Sequence, residues 1–255
     1  MNQEETNAMG AQKNTAPAEK NPFSRTQLLL GEAGVAALAR AHVCVFGVGG
    51  VGGFAVEALA RAGVGALTIV DADTVDITNI NRQIIATHDT VGQAKVQVMA
   101  QRIASINPAC RVTARQCFYL PEARDEFDFA QYDYVVDAID TLSPKLELIK
   151  YCMDRKIPLV SSMGAGAKFD VTRIRITDIS KSFQCPLAHM VRKRLGKMGI
   201  RKGFKAVFSE EKADRSSIVL EAGRNKKSQV GTISYLPASF GCACAQAVIT
   251  GLLGV

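Results

Sequence analysis

Three glycines, Gly47, Gly49 and Gly52, stand in the stretch GVGGVG at 47–52, with Gly50 beside them. The pattern is G-x-G-x-x-G. Between a strand and a helix, such glycines permit a tight turn and bring backbone N–H groups against phosphates at a helix N-terminus. Asp71 follows about twenty residues on, where an acid can accept hydrogen bonds from ribose hydroxyls. Beyond the acid-rich turn DADTVD comes TNINRQ at 78–83, which sets Arg82 behind Asn79 and Asn81 and ahead of Gln83. A cation there is surplus to a dinucleotide, whose two phosphates the helix terminus already serves. A nucleoside triphosphate, with roughly four charges, calls for further cations and a metal. Arg82 and Lys95 can supply the cations. Asp140, expected at the end of the strand YVVDAID, can supply a carboxylate to Mg²⁺, a hard ion that takes one or two carboxylates plus phosphate oxygens. Plainer readings stand beside these: a structural glycine turn, a surface arginine, a solvated lysine and a helix N-cap.

The elements that must position these groups alternate along the chain. HVCVFGV at 42–48 and ALTIVD at 66–71 are short apolar runs of the kind that form buried parallel strands. GFAVEALARAG, with Phe54, Val56, Leu59 and Ala60 at helical spacing and Gly63 as a stop, predicts a helix between them. KVQVMAQRIASIN at 95–107 predicts a second helix. RVTARQ, YDYVVDAID and IPLVSSMG then read as strands, with LELIKYCMDRK as the helix before the last. The expected fold is α/β: a Rossmann-like, doubly wound, mostly parallel sheet covered on both faces. After Gly166 the pattern changes. KFDVTRIRITDI alternates with period two, predicting an antiparallel extension. PLAHMVRKRLGKMG at 186–199 predicts a short helix with Leu187, Met190, Val191 and Leu195 beneath a basic face, and PASFGCACAQAVITGLLGV a closing helix on the sheet.

A chain of 255 residues accommodates one large α/β domain. No run approaches the roughly 20 apolar residues of a bilayer span, so a soluble, cytoplasmic protein is expected. The polar opening residues lack the order of a signal peptide and read as a disordered tail over 1–22. The seven cysteines read as reduced thiols. The net charge of +7 is uneven: Lys181 to Lys227 holds thirteen Lys and Arg against four Asp and Glu, a local +9, leaving −2 for the rest. The expected division is a nucleotide-binding core at 23–166 and a C-terminal portion at 167–255, with a basic insert at about 181–227 and the closing helix.

GVGGVGG, DADTVDITNINRQ, GQAK and DAID, in this order, resemble the adenylating superfamily that includes ubiquitin-activating enzymes and bacterial activators of sulfur-carrier proteins. The resemblance covers roughly residues 24–166. It implies ATP with Mg²⁺ in the pocket. Asp71 and Asp73 would hold the ribose, Asn79, Arg82 and Lys95 the triphosphate, and Asp140 the magnesium, with Gly47, Gly49, Gly50, Gly52 and Gln83 lining the same site. Arg25, in SRTQLLLG, matches a family arginine that reaches the phosphates of a neighbouring subunit, so a homodimer is implied. Arg82, Lys95, Asp140 and Arg25 form the expected catalytic set. Such enzymes attack ATP with a carboxylate, giving an acyl-adenylate and pyrophosphate.

Carrier-protein activators usually hold zinc with two C-x-x-C pairs, and this sequence has neither: Cys185 stands alone, and Cys242 with Cys244 forms C-x-C. The basic segment instead resembles the tRNA threonylcarbamoyladenosine dehydratase branch, which implies adenylation of a nucleoside carboxylate in tRNA, followed by cyclisation. A local excess of cations suits a polyanion. Arg192, Lys193, Arg194, Lys197, Arg201 and Lys202 are the expected RNA-binding residues, against the plainer reading of a solvated helix and loop. The alternative function is an activator of a small sulfur-carrier protein, with Cys185 or Cys242 as acceptor and a cysteine-desulfurase or sulfur-acceptor system as partner. A non-enzymatic binding protein and a nicotinamide dehydrogenase are more distant readings.

Overall fold

The computed structural model describes residues 21–120, 122, 126–220 and 228–255. The expected tail lies almost wholly outside the described residues, as does most of the basic loop EAGRNKKSQ. Seven strands make one sheet in the order β3-β2-β1-β4-β5-β7-β6. They are β1 (His42–Phe46), β2 (Ala66–Val70), β3 (Arg111–Arg115), β4 (Tyr134–Asp137), β5 (Leu159–Ser162), β6 (Ile174–Asp178) and β7 (Lys205–Ser209). All neighbours pair in parallel except β6 and β7, which run antiparallel with Ile174 opposite Ser209. A small hairpin, β8 (Ile218–Leu220) with β9 (Ser228–Val230), stands apart.

The central strands β1, β2, β4 and β5 are largely apolar because both their faces are covered, whereas the edge strands β3 and β6 carry Arg and Thr and are partly exposed. Val43 and Val45 of β1 point into one core with Leu59 and Met99, while Cys44 and Phe46 point into the other with Leu148 and Phe208. The period-two side-chain alternation of a strand thus divides one run between two cores. The first face is covered by α1 (Ser24–Arg40), α2 (Gly52–Ala62), α3 (Lys95–Ile106) and α6 (Tyr235–Leu253), the second by α4 (Leu142–Asp154) and α5 (Pro186–Lys197). Helix α1 is kinked at Gly31, whose φ of 71° lies in the left-handed region.

The basic stretch holds the expected short helix, α5, and also contributes a strand: β7 lies inside it, and Ala206, Val207 and Phe208 are buried between β5 and β6. One expectation meets a correction here: the chain is not without a long apolar helix. By length and composition alone α6, with mean hydropathy 1.5, could cross a membrane. Here it buries Leu236, Phe240, Cys244 and Val248 in the first core. A Cβ on Gly241 would lie 2.4 Å from the Val51 carbonyl, so α6 rests directly on the start of α2.

Candidate active site

The glycine turn carries the chain from β1 to α2 at the carboxyl edge of the sheet. Gly47 has φ 90°, and a Cβ there would stand 2.7 Å from the Ala138 carbonyl oxygen. A Cβ on Gly52 would stand 1.8 Å from the Gly47 carbonyl. Both glycines are required by the protein's own packing. Gly49 differs, because a Cβ there would meet only Gln83 Nε2, at 3.7 Å, an ordinary contact. The space before Gly49 is therefore open to a ligand. Helix α2 has no side-chain cap and no acid in its first turn; the Gly53 N–H donates to the Gly49 carbonyl at 2.9 Å, and the positive end of the helix is left without a negative side chain. Gly50 packs the other way: its Cβ position lies 3.1 Å from Pro237 and 3.5 Å from Arg82 Cγ.

Asp71, just past β2, ties the turn to the neighbouring strand. Its Oδ2 accepts the Val48 N–H at 2.7 Å and its Oδ1 the Asp73 N–H at 2.9 Å. Burial pushes its pKa up, while the charge of Lys95 and the two backbone bonds oppose that shift. A carboxylate offers about four lone-pair directions, so two remain for hydroxyl donors.

The expected phosphate ligands are placed unequally. Lys95 is buried, and its Nζ donates to Asp73 Oδ2 at 2.9 Å, so a group expected at the triphosphate is paired with one expected at the ribose. Arg82 is half-buried over the turn and donates from Nη1 to the Thr78 carbonyl and to Asn81 Oδ1, both at 2.9 Å. Asn79 is buried and works structurally. Its Oδ1 accepts the Asp76 N–H at 3.1 Å, closing a capping box on the short helical turn over 77–79. Gln83 is buried next to Gly49, and among the described residues its Oε1 has no hydrogen-bond partner. Such an orphaned acceptor is costly unless a ligand or water satisfies it.

Strand β4 ends at Asp137, so Asp140 does not end the strand as expected. It lies three residues further, exposed in the loop before α4. The strand-ending acid has another task, which the sequence reading missed. Asp137 Oδ2 accepts from Lys145 Nζ at 2.6 Å and from Ser161 Oγ at 2.6 Å, with the Asp137 and Lys145 side chains wholly buried. Lys145 also donates to the Ser162 carbonyl at 3.0 Å, and Asp137 Oδ1 accepts the Ile139 N–H at 3.1 Å. The network fixes the turn that carries Asp140 and abuts Gly47. A signal was present: Lys145 falls in line with Leu148, Ile149 and Cys152, on the apolar face of α4.

Arg25 is exposed on the first turns of α1, near Leu28 and Leu29, which are 88% and 83% exposed. Among the described residues no hydrogen bond or ion pair joins it to the crevice. Of the expected RNA-binding residues, Arg192, Lys193, Lys197 and Arg201 line one hollow with Ser180 and Gly196. Arg194 and Lys202 are exposed outside it. The apolar side of α5 is Ala188, Val191 and Leu195; Leu187 and Met190 are only half-buried. Cys185 and Cys244 are buried, whereas Cys242 is exposed. Among the described residues no group of three His, Cys, Asp or Glu could hold a metal ion.

A glycine turn before an uncapped helix, an acid on the next strand and cations over the turn, all at one sheet edge, define a nucleotide-binding α/β protein of the adenylating class. The chain belongs to the ThiF family, whose profile matches residues 23–255. It is 46% identical to the tRNA threonylcarbamoyladenosine dehydratase of Bacillus subtilis (strain 168), over 91% of this chain and 94% of that protein. The Escherichia coli (strain K12) protein of the same name is 48% identical over 76% of this chain and 75% of its own. A crystal structure of the E. coli tRNA N6-threonylcarbamoyladenosine dehydratase in complex with ATP superposes with a TM-score of 0.84. It shares 41% identity with this chain and covers 91% of it and 94% of the solved chain.

Proposed function

We propose that this protein uses ATP to adenylate the free carboxylate of threonylcarbamoyladenosine in tRNA and so drives its cyclisation with net loss of water. One observation carries the reading: nearly end-to-end similarity, at 46% identity, to a protein bearing that name. The nucleotide site is compatible with it. The open face of Gly49, the uncapped start of α2 and the orphaned Gln83 Oε1 suit a phosphate-bearing ligand with a donor of its own.

In this reading the nucleoside carboxylate attacks the α-phosphorus of ATP, and pyrophosphate departs. The carbamoyl group then attacks the activated acyl carbon and expels AMP, which carries away the oxygen that would have left as water. Asp71 accepts from the ribose hydroxyls, Asp73 shares that task, and Arg82 and Lys95 bear on the polyphosphate, with Asn79 and Gln83 shaping its cradle. Asp140, exposed at the carboxyl edge, fits an ion that takes a single protein carboxylate; Mg²⁺ held there would neutralise charge on the departing pyrophosphate. No side-chain nucleophile is needed; positioning and charge compensation suffice.

The assembly is proposed to be a homodimer. A second copy would cover Leu28 and Leu29 and let Arg25 reach its neighbour's phosphates. The protein is read as soluble and cytoplasmic, with α6 a core helix. A sulfur-acceptor partner would meet Cys242, the exposed member of the C-x-C pair. Incubating threonylcarbamoyladenosine-containing tRNA with enzyme, ATP and magnesium, then mass spectrometry of the nucleosides under mild conditions, tests the function. A product lighter by one water supports it; unchanged nucleoside refutes it.

A further inference from the structure

Arg192, Lys193, Lys197 and Arg201 surround an open hollow of about 420 Å³. Among the described residues none of the four has a carboxylate within 4 Å, whereas Arg61, Lys95, Arg102, Arg115, Lys150, Arg173 and Arg175 each have one. Asp178, at the foot of β6, is engaged elsewhere. It accepts from the Ser180 N–H and hydroxyl on one oxygen and from the Gly203 N–H on the other. Lys193 and Lys197, four apart on α5, repel one another, which costs a helix a few tenths of a kcal/mol. The Arg192 guanidinium is held in place by the Ser182 carbonyl at 2.6 Å and by the Ser182 hydroxyl. Uncompensated, mutually repelling cations around a fixed guanidinium suit an anion with several oxygens.

The position of the hollow matters as much as its charge. Asp178, the last residue of β6, pairs with Lys205, the first of β7, and β7 runs parallel to β5 and the strands beyond. Ser180 and Arg201 are therefore at the amino-terminal edge of the sheet, while the glycine turn leaves the carboxyl edge. A five-residue strand spans about 16 Å. A ligand in the hollow cannot touch the reacting carboxylate.

We propose that the hollow seats a backbone phosphate of the RNA and anchors the substrate remotely from the chemistry. The inference rests on the tRNA reading above, and its test separates the two. Lys193→Gln, Lys197→Gln and Arg201→Gln are combined; KM and kcat are measured with full-length tRNA, and binding is titrated against salt. KM should rise about ten-fold or more, with kcat and ATP affinity unchanged, and the slope of log affinity against log salt should shrink by about one or more. A trinucleotide with the modified nucleoside at its centre, too short to reach the hollow, should bind variant and wild type equally. Unchanged KM and salt slope, a fall in kcat, or an equal loss of trinucleotide binding would overturn the anchor. If the wild-type enzyme itself fails to convert tRNA, the function falls instead, and the salt slope still decides whether the hollow binds RNA.

Discussion

The buried ammonium of Lys95 stands 2.9 Å from the exposed carboxylate of Asp73, within the same loop system that carries Arg82. Because the Asp73 side chain is 56% exposed, water screens the pair, and its stability contribution is about 1 kcal/mol or less. In the proposed reading the exposed acid would swing away from the phosphates and leave the buried cation to them. Asp73→Ala should therefore change the melting temperature little, whereas Lys95→Gln should weaken ATP binding by about ten-fold or more. Thermal unfolding together with calorimetric titration of ATP checks both arms.

Gly49 and Gly52 separate ligand contact from packing. Gly52→Ala forces a methyl to within 1.8 Å of a backbone oxygen and should cost about 1–3 kcal/mol of stability as well as activity. Gly49→Ala meets no such clash. It should leave stability unchanged within about 0.5 kcal/mol, yet raise the Kd for ATP because the methyl enters the open face. Denaturant titration and nucleotide binding on the two variants test the distinction.

The buried Asp137–Lys145 pair predicts strong asymmetry. Lys145→Ala strands a buried carboxylate and should cost about 3–5 kcal/mol, whereas the double variant Asp137→Leu, Lys145→Met should cost much less. Comparison of urea midpoints settles the stability claim. Adenylation should fall in both, because the turn that carries Asp140 loses its brace.

Much of this was legible in the sequence, for physical reasons. Gly47, Gly52 and Asp71 announce themselves because only particular residue types fit a tight turn and a strand-end acceptor, whereas Gly49, which packing does not require, is legible only through the spacing of the motif. Fully buried strands read as unbroken apolar runs. Other features were hidden by residue type. Lys145 looks solvated because a lysine is normally outside, and only its line with Leu148, Ile149 and Cys152 betrays burial. Asn79 is polar and close to Arg82 in sequence, but its side-chain oxygen is consumed in a capping box, which depends on loop geometry. Strand β7 was lost within a basic stretch because KAVFS is short and charge dominated its surroundings.

His42 gives stability a pH dependence. Burial, and then the charge of Arg111, lower its pKa below the ordinary 6.5, against the opposing effect of Asp133. Below about pH 6.5 the unfolded chain takes up a proton that the folded ring resists. Stability should thus fall as pH drops from 6.5 toward the folded value, with no contribution from this residue above 6.5. His42→Gln should flatten that limb of the profile, as measured by urea midpoints between about pH 5 and 8.

The account turns on a carboxylate oxygen attacking the α-phosphorus of ATP. Threonylcarbamoyladenosine tRNA labelled with ¹⁸O in that carboxylate, converted by the enzyme in a single turnover, tests this step directly. The predicted result is one labelled oxygen in AMP and none in pyrophosphate. Label in inorganic phosphate, with ADP as the nucleotide product, would contradict it.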